Sequence, residues 1–129
     1  MPPRFFTVAE ANALLPEVRQ LVKEMLAARQ EVLDLQPQLW PEVEKAATNG
    51  GGKTMSKATR QIIIIQNILH TLDAWGIQVK DVNIGLIDFP ARYEDRTVLL
   101  CWQYDEPSVQ FWHEVDAGFS GRKRITGWE

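Results

Sequence analysis

Several protein classes are excluded by what the chain contains in small amounts. Its 129 residues include one cysteine, Cys101, so no internal disulfide can form and a reducing compartment is expected. Lys and Arg number 14 against 17 Asp and Glu, a net charge of −3. Broad, charge-driven binding of nucleic acid requires a basic surface. We therefore expect neither a disulfide-stabilised secreted domain nor a nucleic-acid partner.

Long apolar runs are also missing. The longest, Ile62–Ile65, is far too short to span a bilayer, and Met1–Arg4 leads into no apolar segment of signal-peptide length. We therefore expect a cytoplasmic protein without a membrane partner. The chain has 45% hydrophobic and 24% charged residues, as ordinary globular proteins do, and its length predicts a single domain over residues 1–129.

A long first helix is predicted from the capping pattern at Thr7–Glu10, in which the Thr7 hydroxyl and the Glu10 carboxylate would each accept a backbone N–H. Pro16 should bend this helix, and a break is predicted near Pro37 and Pro41. The helix carries an apolar seam with alternating steps of three and four residues: Ala11, Leu14, Val18, Leu21, Met25, Ala28, Val32, Leu35 and Leu39.

A second helix follows the Asn49–Gly52 loop, with Ser56 as its predicted N-cap and Gly76 as its stop. Consecutive isoleucines also favour a strand, but the helical spacing continues to Trp75. The apolar residues form two stripes, which make a face wider than one partner helix covers. We therefore expect a homodimer to which this helix contributes. The stripes are Ala58, Ile62, Ile65, Leu69 and Leu72, and Ile64, Ile68 and Trp75.

After Gly76, short apolar runs separated by turn residues predict strands with antiparallel neighbours. The predicted fold class is α+β: a long antiparallel helical hairpin over about residues 7–75, then a small three- to four-stranded antiparallel β-meander over about residues 77–125. The third predicted strand is apolar on both faces, so both faces should be covered. The predicted strands are Gln78–Val82, Ile84–Phe89, Thr97–Tyr104 and Val109–Val115.

Several segments resemble one family: Phe6–Thr7, Glu10–Pro16, Val18, Gly85–Ala91, Leu100–Trp102, Glu106–Pro107, Phe111–His113 and Ala117–Arg122. Together they are similar to an uncharacterised bacterial family, domain of unknown function 2203, over nearly the whole chain. The turn at Glu94–Arg96 departs from the Asp-Gly expected of that family. The resemblance implies no activity, because the family has none established.

Two segments that suggest chemistry are better explained structurally. Gly50–Thr54 resembles the end of a phosphate-binding loop, but Ala47 replaces the first glycine and a helix replaces the preceding strand. This loop is therefore not expected to bind nucleotide phosphates. Cys101 lies mid-strand among apolar residues, without a cationic neighbour in sequence, and is interpreted as a buried core thiol.

A candidate ligand or metal site comprises Asp88, Glu106 and His113. If the meander pairs in order, these side chains would converge at one rim of the sheet. Two carboxylates and an imidazole suit a divalent metal, which would be the cofactor, or acid–base chemistry. Alternatively, both acids are turn residues and His113 bonds to a backbone carbonyl, because titratable residues are common at strand ends.

A candidate anion site comprises Gly118, Gly121 and Arg122. Glycines allow backbone N–H groups to approach a phosphate or carboxylate, and arginine can hold it. The alternative is a glycine turn followed by a solvated basic segment.

Two functional hypotheses follow. The first is an oligomeric interaction or scaffold module that uses the helical hairpin. The second is a protein that binds a small ligand or a divalent metal on the C-terminal sheet. This hypothesis includes the case of a hydrolase-like enzyme. The residues identify neither substrate nor metal, and whether the chain is an enzyme stays open.

Overall fold

A computed structural model describes residues 4–49 and 52–127. Two helices precede five strands that pair in chain order, each antiparallel to its neighbour. The predicted α+β fold is confirmed, and a two-residue fifth strand extends the meander. The elements are α1 Val8–Asn49, α2 Lys53–Ala74, β1 Gln78–Asp81, β2 Leu86–Tyr93, β3 Arg96–Gln103, β4 Phe111–Glu114, the 3₁₀ turn η1 Phe119–Gly121 and β5 Lys123–Arg124.

The start of α1 confirms the predicted capping box. The Thr7 backbone N–H donates to Glu10 Oε1 at 2.9 Å, and the Glu10 N–H donates to Thr7 Oγ1 at 3.0 Å. The Thr7 contacts lower the pKa of Glu10. These two bonds satisfy donors that a helix start otherwise leaves unpaired.

The predicted break of the first helix is wrong. α1 is continuous from Val8 to Asn49 through Pro16, Pro37 and Pro41. Each proline removes one backbone donor, but all three are exposed, so water can reach the carbonyl groups that lose a partner.

The isoleucine run is helical, as predicted, although the predicted N-cap at Ser56 is wrong by one turn. α2 begins at Lys53 with Gly52 as its N-cap, and Ser56 Oγ donates to the Gly52 carbonyl at 3.2 Å. Gly76 ends the helical segment with a φ of +82°, as predicted. Gly50 and Gly51 of the predicted loop lie outside the described residues. Within residues 4–49 and 52–127, no helix combines the length and apolar character needed to cross a membrane.

A two-residue turn sets the pairing of β2 with β3. Glu94 and Asp95 have φ angles of 50° and 62°, the left-handed pair typical of tight hairpins. Strand β2 continues past its predicted end through Pro90, which pairs with Leu99. The Pro90 carbonyl accepts from the Phe6 N–H at 2.7 Å, on the side away from β3. The missing proline N–H therefore costs the β2–β3 ladder no bond.

Edge strand β1 is short and irregular. Its pairing with β2 shifts between Val79 and Asp81, which marks a bulge or irregularity in the ladder. On the opposite edge, β5 contributes only Lys123 and Arg124.

The middle of β3 is buried on both faces, as its apolar pattern predicts. Alternate residues of β2, β3 and β4 point toward the helices and join the main core. The opposite face contains Asp88, Cys101 and His113, each 3% exposed or less. The core face includes Ile87, Phe89, Ala91, Val98, Leu100, Trp102 and Trp112, which join Val18, Val22 and Met25 of α1.

Two polar side chains of α1 hold the connection between β3 and β4. Asn12 Oδ1 accepts from the Val109 N–H at 2.8 Å, and Asn12 Nδ2 donates to the Val109 carbonyl at 3.3 Å. Arg19 lies over the Trp102 ring, with 5.2 Å between its Cζ and the ring centroid. Its guanidinium donates to three carbonyl groups of the connection, those of Tyr104, Glu106 and Pro107.

We predict that Asn12→Ala lowers the free energy of unfolding by roughly 1–3 kcal/mol, because it leaves both backbone groups of Val109 without their partner. Chemical denaturation monitored by tryptophan fluorescence measures this loss. Gln20→Ala is the control on the same helix, because Gln20 is exposed and bonds to Glu24. Equal losses in the two variants would contradict a special role for Asn12.

Candidate metal centre

The candidate site is built by three adjacent strands. In the β2–β3 ladder Asp88 lies opposite Cys101, and in the β3–β4 ladder His113 lies opposite Leu99. Leu99 and Cys101 are two residues apart, so their side chains share a face of the sheet. Asp88, Cys101 and His113 therefore emerge side by side on the face away from the main core.

Asp88 and His113 are in direct contact. His113 Nε2 lies 3.0 Å from Asp88 Oδ2. The side chain of His113 is 3% exposed and that of Asp88 is 0% exposed. The other ring nitrogen, Nδ1, lies 2.7 Å from the Glu114 carbonyl oxygen. The sequence predicted these two site residues together, and the structure places them together.

The Glu114 carbonyl indicates that Nδ1 of the His113 ring carries a hydrogen. A carbonyl oxygen can only accept, so Nδ1 carries a hydrogen and donates it. One proton then lies between Nε2 and Asp88, as an imidazolium with a carboxylate or as a neutral imidazole with a carboxylic acid. The bond from Nδ1 to a carbonyl is also the usual support of a histidine that binds metal through Nε2.

Cys101 is the third member of this group. Burial, reinforced by the negative charge of Asp88, raises the pKa of the Cys101 thiol to about 12. Burial also raises the pKa of Asp88, while the positive charge of His113 and a hydrogen bond from the Cys101 thiol act in the opposite direction. Asp88 Oδ1 is buried without a hydrogen-bond partner. A buried carboxylate oxygen in this condition is costly, so it points to a missing partner.

The geometry of the three side chains suits a metal ion. One ligand atom from each of Asp88, Cys101 and His113 lies within 4.8 Å of the others. Metal–ligand bonds of about 2.0–2.3 Å place ligand atoms around a tetrahedral zinc roughly 3–4 Å apart, so small side-chain rotations would close the site. Sulfur, nitrogen and carboxylate oxygen are the donors that zinc accepts, and three of them leave a fourth position.

Glu106 does not join Asp88 and His113. Its carboxylate accepts from Arg122 Nη2 at 2.6 and 2.8 Å and from the Gln103 N–H at 2.7 Å. Glu106 and Arg122 are 17% and 12% exposed, so this ion pair is largely buried. Among the described residues, the group of side chains placed so that it could hold a metal ion contains Cys101 where the sequence suggested Glu106.

Arg122 and Gly121 of the predicted anion site make contacts within the protein, and Gly118 contributes its carbonyl group. Arg122 pairs with Glu106, and its Cζ lies 4.1 Å from the centroid of the Phe111 ring. The Gly121 N–H donates to the Gly118 carbonyl at 3.1 Å, within the turn itself. The Glu106 carboxylate therefore occupies Arg122 Nη2, while Arg122 Nε is buried without a hydrogen-bond partner.

Sequence reasoning assigned Cys101 to the core and missed its neighbours. The thiol is buried as predicted, but it lies beside two titratable groups. The two-residue turn at Glu94 and Asp95 could have revealed these neighbours. Counting outward from this turn along both strands places Asp88 opposite Cys101.

Comparisons with known proteins give a family. The chain matches the family described as "Uncharacterized conserved protein (DUF2203)" over residues 4–125. No curated protein and no solved structure shows significant similarity to it. The matched range includes both helices, the whole sheet and all the site residues described above, so the chain belongs to the DUF2203 family.

Proposed function

We propose that this protein binds a divalent transition metal, with zinc the best fit, through Asp88, Cys101 and His113. The observation that carries the proposal is the buried Asp88 Oδ1, which lacks a hydrogen-bond partner while a thiol and an imidazole lie beside it. A metal ion would supply the missing partner and replace the proton shared by His113 and Asp88. The Nδ1–H bond to the Glu114 carbonyl would then orient the ring.

Burial favours a binding site over an open catalytic centre. Asp88 and Cys101 are fully buried and His113 is 3% exposed. A catalytic zinc keeps a position that water and substrate can reach. Hydrolytic chemistry would therefore require the Glu106–Arg122 side of the site to open. Arg122 lies on that side, because Nη2 is 3.4 Å from the Cys101 carbonyl oxygen.

We predict that metal-free, reduced protein binds one Zn²⁺ per chain and that Cys101→Ser weakens this binding. The loss should exceed the roughly 10- to 100-fold caused by losing an outer partner of a metal site. Calorimetry with a competing chelator measures the affinity. Co²⁺ provides a second readout, because a thiolate ligand gives a near-ultraviolet charge-transfer band. Repeating the titration in buffers of different ionisation enthalpy tests for proton release, because the thiol must deprotonate to bind.

Two control variants distinguish this ligand set from its alternatives. Glu106→Gln should leave zinc affinity within a few-fold of the parent, whereas the ligand set Asp88, Glu106 and His113 predicts a loss. His70→Gln is the control for His113→Gln, because His70 is the other histidine and is exposed. Circular dichroism confirms that each variant is folded. The site would be refuted if the parent protein bound no zinc. It would also be refuted if folded Cys101→Ser still bound zinc although it gave no Co²⁺ charge-transfer band.

A second candidate function is an interaction module that self-associates through the helical hairpin. Ile62, Ile63 and Ile64 of α2 are 43%, 47% and 39% exposed, although each is a large apolar side chain. Contiguous exposed apolar residues mark interaction surfaces more often than isolated ones do. Ile65 and Ile68 belong to the internal core or pack against it, so changes there report on folding of the chain itself.

We predict that the protein is a homodimer at high micromolar concentration and that Ile63→Asp converts it to a folded monomer. The exposed position tolerates the charge in the single chain, whereas an apolar interface would bury it unpaired. Light scattering coupled to size exclusion measures the mass. Ala27→Asp, on an exposed position of α1, is the matched control and should remain dimeric. A parent protein with the mass of one chain would rule out this function.

A further inference from the structure

The charges of α2 are distributed unevenly along its length. Lys53, Lys57 and Arg60 lie in its first part, and Asp73 lies near its end. Between them, residues 61–72 carry no Asp, Glu, Lys or Arg. This order opposes the helix dipole, which favours acidic side chains near the N-terminus and basic ones near the C-terminus.

The same charge order distinguishes two ways in which α2 of one chain can pack on α2 of another. Parallel packing would bring the three cations of both chains together at one end. Antiparallel packing would separate them and place each basic end beside the acidic end and the negative dipole end of the partner helix. The uncharged middle would then lie at the centre of the interface, where charged residues are depleted in protein interfaces.

The position of the isoleucines sets the centre of such a pairing. Successive helix residues are about 100° apart, so Ile62 and Ile64 flank Ile63 on either side. Ile63 is the most exposed of the three, and Ile68 and Leu72 mark the opposite, buried side of the helix. A two-fold axis beside Ile63 would bury the isoleucines of both chains together, in the self-complementary contact that two-fold dimers require.

We infer that two copies of this chain associate through antiparallel packing of their α2 helices, centred on Ile63. The inference rests on the self-association proposed above and adds its direction and register. In this arrangement Ser56 of one chain lies near His70 of the other, because both are seven residues from Ile63. The surface formed by Ile62, Ile63 and Ile64 is therefore occupied by a second copy of this chain, because the charge order of α2 is complementary to the same order reversed.

Disulfide cross-linking of two single variants tests the direction. Ser56→Cys and His70→Cys are both on exposed positions of α2, and the native Cys101 is buried. We expect an equal mixture of the two variants to form a mixed disulfide dimer under mild oxidation, while each variant alone gives only background. Like positions would be offset by about 21 Å along antiparallel helices at 1.5 Å per residue, well beyond disulfide reach. Non-reducing electrophoresis and mass spectrometry identify the linked peptides.

The outcomes separate this inference from the proposal on which it rests. A monomer mass for the parent protein would refute self-association and the inference together. A dimer mass with each variant cross-linking to itself would show parallel packing and overturn the inference alone. A dimer mass without cross-links in any mixture would place the interface on another surface and overturn it as well. Parent protein treated in the same way should show no cross-link, since its thiol is buried.

Discussion

The pairing of β2 with β3 is the constraint on which the remaining structure depends. Two residues with left-handed backbone, Glu94 and Asp95, leave the strands no freedom of register. A shift of β2 by one residue would turn Phe89 away from the helices and direct Asp88 into the main core, while the side chains of β3 kept their faces. The same register that completes the apolar core therefore gathers the titratable side chains on the other face.

Burying the titratable side chains of Asp88 and His113 has an energetic cost. Removing one partner of a buried ion pair typically costs roughly 3–5 kcal/mol, and replacing such a pair by apolar residues is often neutral or stabilising. By this comparison the contact between Asp88 and His113 is weak evidence for added stability. Their contact is directional, and the ring is held from its far side by the Glu114 carbonyl. An arrangement that is costly for folding but well oriented is what a binding site requires.

Most of the architecture is predictable from local patterns, because those patterns act over a few residues. The capping box at Thr7, the helical spacing of the isoleucines and the stop at Gly76 each produced the expected element. The continuity of α1 was not predictable, because the penalty of an internal proline depends on whether its ring and the freed carbonyl face solvent. β5 was missed because two residues, Lys123 and Arg124, carry no strand pattern of their own.

The site was predictable only in part, for a different reason. Asp88 and His113 lie on strands whose order follows from the meander. Glu106 lies in a connection whose path is set by Arg19 and Asn12, which are 87 and 97 residues away in sequence from the groups they contact. No local pattern reports such contacts. Cys101 looked like an ordinary core residue because its immediate sequence neighbours are apolar, whereas its chemistry comes from the adjacent strands.

The edges of the sheet bear on how this protein avoids unwanted assembly. A regular, exposed edge strand offers unpaired backbone groups to any other strand and can begin open-ended aggregation. Here one edge is a four-residue strand with a register shift and an exposed lysine, Lys80, and the other is two residues long with both side chains charged. Neither edge is a good template for adding strands. Chains of this protein can therefore meet at high concentration without growing into fibres through these two edge strands.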